Sequence, residues 1–111
     1  MRILHLALES DWVTAREAGT YVVSTRDATL QQVGFIHCST PAQVDGVAQN
    51  FYSDVLADLL VLDLDDEQIR ASGTEVRYED PGNGDLYPHI YGPIDPAWVT
   101  GVSPYTPTRT H

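Results

Sequence analysis

Thr40-Pro41-Ala42-Gln43 constrains this chain more tightly than any other stretch. Threonine at the N-cap, proline at the first helical position and glutamine at the third make a capping box. Val44, Val47, Ala48 and Phe51 follow at i, i+3, i+4 and i+7, which predicts an amphipathic helix over Pro41–Phe51 with those side chains on its buried face. The residues before it, Phe35 to Ser39, read as a strand, so strand and helix meet without a linker. Ser39 and Thr40 then stand beside the unsatisfied N–H groups of a helix start, a ready place for an anion.

Other elements follow from periodicity and punctuation. Arg2–Leu8 reads as a first strand. Ser10 is the expected N-cap of a helix to about Ala18, with Trp12, Ala15 and Ala18 on one face and Gly19 as its C-terminal stop. Tyr21–Ser24 reads as a short strand, and Asp27–Val33 as a helical turn ended by Gly34. Leu59–Leu64 is a buried strand and Asp65–Ala71 a turn or short helix. Thr74–Glu79 alternates, with Glu75, Arg77 and Glu79 opposite Val76 and Tyr78. The segment 80–85 is a turn-rich loop. Leu86–Gly92 and Val99–Tyr105 are strands around a turn at Asp95-Pro96. The mixed order predicts an α+β fold.

Size and charge narrow the function classes. The 111 residues suffice for one domain, expected over residues 1–105 with a tail at 106–111. No stretch approaches the roughly 20 apolar residues that span a bilayer, and the first apolar run is too short for a secretory signal. A lone cysteine, Cys38, cannot form an intramolecular disulfide, so a cytoplasmic setting is expected. Six arginines, no lysine and sixteen carboxylates give a formal charge of −10. That balance argues against a nucleic-acid partner, and the missing lysine excludes Schiff-base chemistry and a P-loop.

The histidines carry the chemistry. His5, His37 and His89 each interrupt an apolar or aromatic run, whereas His111 ends the chain. A buried imidazole without partners costs about 1–3 kcal/mol, so a shared polar pocket is the expectation for all three. Strand alternation puts Phe35, His37 and Ser39 on one face and Ile36, Cys38 and Thr40 on the other. His89 and Tyr91 likewise share a face opposite Ile90. Imidazole, aromatic and hydroxyl groups so arranged suit a ligand with a ring and a sugar. Cys38 cannot pair with its neighbour His37 and reads as a core residue. No two histidines have metal-ligand spacing, so no metal is expected. Glu79, at a strand end beside the loop, is the candidate base or cation stabiliser.

Ile3-Leu-His-Leu-Ala7 with Trp12, Gly34-Phe-Ile-His-Cys-Ser-Thr40, Asn50-Phe-Tyr52, Leu60-Val-Leu-Asp63 and Pro88-His-Ile-Tyr-Gly-Pro93 together resemble one family. On these motifs, from Ile3 to about Val102, the chain is identified as a member of the bacterial domain-of-unknown-function family nine-five-two. That family is similar in fold to the ADP-ribosyltransferases. The resemblance implies two mostly antiparallel sheets flanked by two or three helices, around a cleft for NAD or ADP-ribose. It also implies roles: His5 as the first-strand histidine and His37 as the second-strand one, Ser39 near a ribose or phosphate, Tyr52 or Tyr91 stacking, and Glu79 stabilising a ribosyl cation. With Thr40 at the helix start and His89 on the face of Tyr91, these make the expected ligand-binding set, in which Glu79 and His37 are the expected catalytic residues. The expected function is binding, transfer or hydrolysis of a nicotinamide- or ADP-ribose-containing small molecule. The alternative is an inert sensing or protein-interaction module. His5 is followed by Leu6-Ala7 where active transferases carry Gly-Thr.

Overall fold

Two apolar stretches that are buried on both faces organise the structure, a computed structural model that describes residues 1–25, 28–52 and 58–105. These are strand β1 (Arg2–Leu8) and strand β5 (Leu59–Asp65), which pair antiparallel from Arg2 opposite Asp65 to Leu8 opposite Leu59. Strand β8 (Gly101–Pro104) adds to the other edge of β5, giving the order β1-β5-β8. Alternation splits the apolar side chains between two cores. Ile3, Ala7, Leu60, Leu62 and Leu64 face one, while Leu4, Leu6, Leu59 and Val61 face another, closed by helix α3 (Val44–Tyr52).

A second antiparallel sheet takes the order β4-β7-β6, from Ile36–His37, Tyr87–Tyr91 and Glu75–Glu79. Its inner face gives Ile36, Val76 and Ile90 to the first core. Its outer face carries His37, His89 and Glu79. The two sheets meet where Leu4 and Ser39 exchange backbone hydrogen bonds, both 2.7 Å. A small sheet of β2 (Val23–Thr25) and β3 (Ala28–Thr29) lies between, tied to the rest through a bridge from Tyr21 to Ile94.

Helix α1 (Glu9–Ala18) follows β1 directly, α2 (Leu30–Val33) precedes β4, and α4 (Asp66–Ala71) follows β5. The α+β expectation holds. The described residues add a third, two-stranded sheet and a fourth helix to the two sheets and two or three helices expected. Those extra pieces are two to four residues long, too short for periodicity to register.

Several boundaries need correction. Leu8, not Ser10, is the N-cap of α1 and gives it no side-chain bond; Ser10 is already helical. Trp12 and Ala15 are buried but Ala18 is exposed, because Gly19, at φ 80°, ends the helix there. The capping box at Thr40 is half formed. Thr40 N donates to Gln43 Oε1 at 3.0 Å, but Gln43 N donates to the Thr40 carbonyl and not to its hydroxyl. A turn at residues 41–43 results, and the helix starts at Val44. Its buried face is Val44, Val47, Ala48 and Tyr52; Phe51 is 46 % exposed against 6 % for Tyr52. Positions i+7 and i+8 both lie near the stripe, and the tertiary contact decides between them. The expected start at Asp27 and the tail at 106–111 lie outside the described residues.

Candidate functional site

His37 and His89 face each other across the β4–β7 pairing. Their side chains meet, His37 Nδ1 to His89 Nε2, at 3.2 Å. The other nitrogen of His89, Nδ1, lies 2.9 Å from Glu79 Oε1, and the Tyr91 hydroxyl donates to that same oxygen. Phe35 stacks on the His89 ring with centroids 4.0 Å apart and 13° between planes. Those two hydrogen bonds, from Tyr91 first and then His89, hold the Glu79 carboxyl below its usual range.

The network assigns the tautomers. A carboxylate only accepts, so His89 Nδ1 carries a proton. In a neutral ring its Nε2 is then an acceptor, and His37 Nδ1 donates to it. His37 Nε2 is left with a lone pair. That atom is buried and has no hydrogen-bond partner among the described residues. Burial, followed by the neighbouring His89 and His5, lowers the His37 pKa to about 4. A proton taken at Nε2 need not leave its charge there. Passing the Nδ1 proton to His89 moves the positive charge beside Glu79, so the chain can act as a proton relay.

His37 also lines a recess of about 10 Å³ with Leu6, Ser24, Thr25, Ser39, Val47 and Tyr52. Such a space takes about one water-sized group and no ring. Outside it, the rings of Tyr87 and Phe51 flank His37 at 5.3 and 6.0 Å between centroids.

His5 does not join this site. Leu6 lines the recess, so its strand neighbour His5 points to the other side of the sheet. There its Nδ1 donates to the His37 carbonyl at 2.7 Å, and the Tyr21 hydroxyl donates to its Nε2 at 2.8 Å. Burial lowers the His5 pKa to about 4 and raises that of Tyr21. His5 is therefore a saturated core histidine that braces the strand carrying His37.

The structure thus gathers His37, His89, Glu79 and Tyr91, places Ser39 and Tyr52 at the recess, and separates His5. Thr40 is half-buried just beyond Ser39 and does not line the recess. The anion site expected at the helix start is weakened, since Thr40 N and Gln43 N are bonded within the turn and Asp45 puts a carboxylate in the first turn of α3. Tyr52 is core and Tyr91 is tied to Glu79, so the rings placed to stack on a ligand at His37 are Phe51 and Tyr87. Sequence reasoning missed Tyr87, Tyr21 and this role of Phe51. For Tyr87 a signal existed, since it shares the strand face of His89 and Tyr91. Cys38 is core as expected, and burial raises its thiol pKa.

A surface groove of about 410 Å³ lies elsewhere among Arg2, Asp63, Leu64, Asp65, Thr100 and Gly101. It holds no imidazole, and its Arg2 is paired with Asp63, so chemistry favours the smaller recess. Among the described residues no group of three or more His, Cys, Asp or Glu side chains could hold a metal ion. Among them, too, no helix is long and apolar enough to cross a membrane.

An α+β protein with a carboxylate–imidazole–imidazole chain on one sheet is the class these features define. Residues 6–102 match the family described as protein of unknown function (DUF952), and the chain belongs to that family. It is similar in fold to the crystal structure of protein CC0527 from Caulobacter crescentus, with a TM-score of 0.80 and 23% identity over 94% of this chain and 85% of that one. A double-methionine mutant of CC0527 matches with a TM-score of 0.79, at the same identity and coverage. No curated protein matches.

Proposed function

We propose that this chain binds a ribose-bearing small molecule of the nicotinamide- or ADP-ribose-containing class, with one ribose hydroxyl seated at His37 Nε2. The observation that carries the reading is that buried nitrogen, which has no partner among the described residues and which the tautomer assignment makes an acceptor. A buried acceptor left unpaired costs about 1–3 kcal/mol, which a ligand hydroxyl donating to it would recover. The recess admits one hydroxyl, and the Phe51 and Tyr87 rings outside it suit a planar base. The family resemblance to ADP-ribosyltransferases supports the same ligand class. Glu79 serves this reading as a positioning residue that fixes the His89 tautomer. The relay would accept a proton from the bound hydroxyl if glycosyl transfer or hydrolysis follows.

Calorimetric titration with NAD and ADP-ribose tests the reading, with wild type and His37→Asn compared. The expected result is binding by wild type and at least a tenfold loss in the variant, about 1.4 kcal/mol. Urea unfolding should show the variant nearly as stable as wild type, because Nε2 has no partner to lose among the described residues. A destabilised variant, in a protein that binds neither compound, would point to an inert module in which the network only stiffens the sheet.

A further inference from the structure

The charges around His37 say more about the ligand than its shape does. A bound phosphate needs cationic side chains or free backbone donors. The rings about His37 are those of Phe51, Tyr87 and His89, and the recess adds only apolar and hydroxyl side chains. Arg77 is the guanidinium closest to the network in the sheet, directly opposite His89. It is committed, 2.8 Å from Glu75 and 4.8 Å over the Tyr91 ring. At the start of α3, Gln43 caps Thr40 N and also donates to the Leu86 carbonyl, while Asp45 puts a negative charge in the first helical turn. Glu79 adds another carboxylate, on a chain of formal charge −10. A pyrophosphate would meet these carboxylates, and the described cation nearest in the sheet, Arg77, is already paired with Glu75. A positively charged heteroaromatic ring would instead meet two aromatic faces and a favourable field.

We infer that the ligand is a phosphate-free ribonucleoside, bound best when its base is a cationic N-ribosylpyridinium ring. The inference rests on the ribose reading above and deepens it. The ribose hydroxyl enters the recess, the pyridinium ring lies against Phe51 and Tyr87, and the 5′-hydroxyl remains unphosphorylated.

The test is calorimetric titration of the whole chain with nicotinamide riboside, adenosine, NAD and ADP-ribose at low and high salt. Nicotinamide riboside should bind at least about tenfold more tightly than NAD, with adenosine between them and ADP-ribose weakest. High salt should narrow the gap by screening the repulsion of the phosphates. Phe51→Ala, at an exposed position, should weaken nicotinamide riboside while leaving the unfolding transition in place. Glu79→Gln, which keeps an acceptor for His89 and Tyr91, should reduce the preference for the riboside over NAD. Equal or tighter binding of NAD or ADP-ribose would overturn this inference and leave the ribose reading standing. Binding of none of the four compounds would overturn both.

Discussion

His5 and His37 lie on adjoining strands, are joined by a single hydrogen bond and share a pKa lowered to about 4, yet they are wired differently. His5 sits on the side of its sheet that faces the main core, with both ring nitrogens bonded, one to a carbonyl and one to Tyr21. His37 sits on the outer face of the second sheet, with one nitrogen bonded to His89 and the other buried without a partner among the described residues. Burial and a depressed pKa therefore do not distinguish a working histidine from a bracing one. An unfilled hydrogen-bonding valence does.

The largest expected effect tests that contrast directly. His5→Ala removes a fully buried ring and leaves the Tyr21 hydroxyl and the His37 carbonyl unpaired, so it should cost about 3–5 kcal/mol. His37→Ala gives up one hydrogen bond at a half-buried position and should cost about 1–2 kcal/mol. Urea unfolding of both variants measures the difference. Equal losses would mean that His37 is as structural as His5.

A pH titration of stability comes next. Each imidazole binds its proton at about pH 4 when folded, against 6.5 in an unfolded chain. Between those values the unfolded state holds more protons, so stability rises with pH there and is lost as pH falls from 6.5 towards 4. From pH 7 to pH 5 each residue should contribute about 2 kcal/mol of loss. His5→Ala and His37→Ala should each flatten the curve by one such share. If His5→Ala leaves the slope untouched, that ring takes up its proton in the fold as it does in the unfolded chain, and burial does not depress its pKa.

Much of this arrangement was legible in the sequence, and its limits are physical. Alternation placed Phe35 and His37 opposite Ile36 and Cys38, and Glu75, Arg77 and Glu79 opposite Val76 and Tyr78, as the sheet shows. A period of two survives whatever the sheet packs against. The fate of His5 was not legible. It depends on Tyr21 arriving from the β2 region and on the Leu4–Ser39 bridge that sets one sheet against the other. Singling out Glu79 rested on its place at a strand end, and only the register of β6 on β7 explains why it reaches His89. The recess too is a product of assembly, since β1, β2, the segment around His37 and α3 all contribute to it.

The face of α3 offers a milder test of the same boundary between core and site. Tyr52→Ala should cost about 3–5 kcal/mol because the ring is buried in the second core. Phe51→Ala should cost under about 1 kcal/mol, since nearly half of that residue is exposed. Thermal or urea unfolding separates them. A reversal would place the helix one residue out of phase and remove Phe51 from the mouth of the recess.

The smallest effect compares the two capping boxes on either side of the His37 strand. Thr29 and Gln32 form a complete one before α2. The Thr29 hydroxyl accepts from Gln32 N at 3.3 Å, and Thr29 N donates to Gln32 Oε1 at 2.9 Å. Thr40 and Gln43 have the same residue types at the same spacing but only the second of those bonds, because the Thr40 carbonyl has claimed Gln43 N. Thr29→Ala should therefore cost about 1 kcal/mol, whereas Thr40→Ala should cost a few tenths at most. The difference is small but resolvable by urea unfolding of the two variants side by side. If Thr40→Ala proves the costlier, its hydroxyl caps α3 in solution. The helix would then begin nearer Pro41, and the donors needed for an anion site beside Ser39 would be restored. That result would also weaken the case for a phosphate-free ligand, so the least of these energies bears on the chemistry of the site.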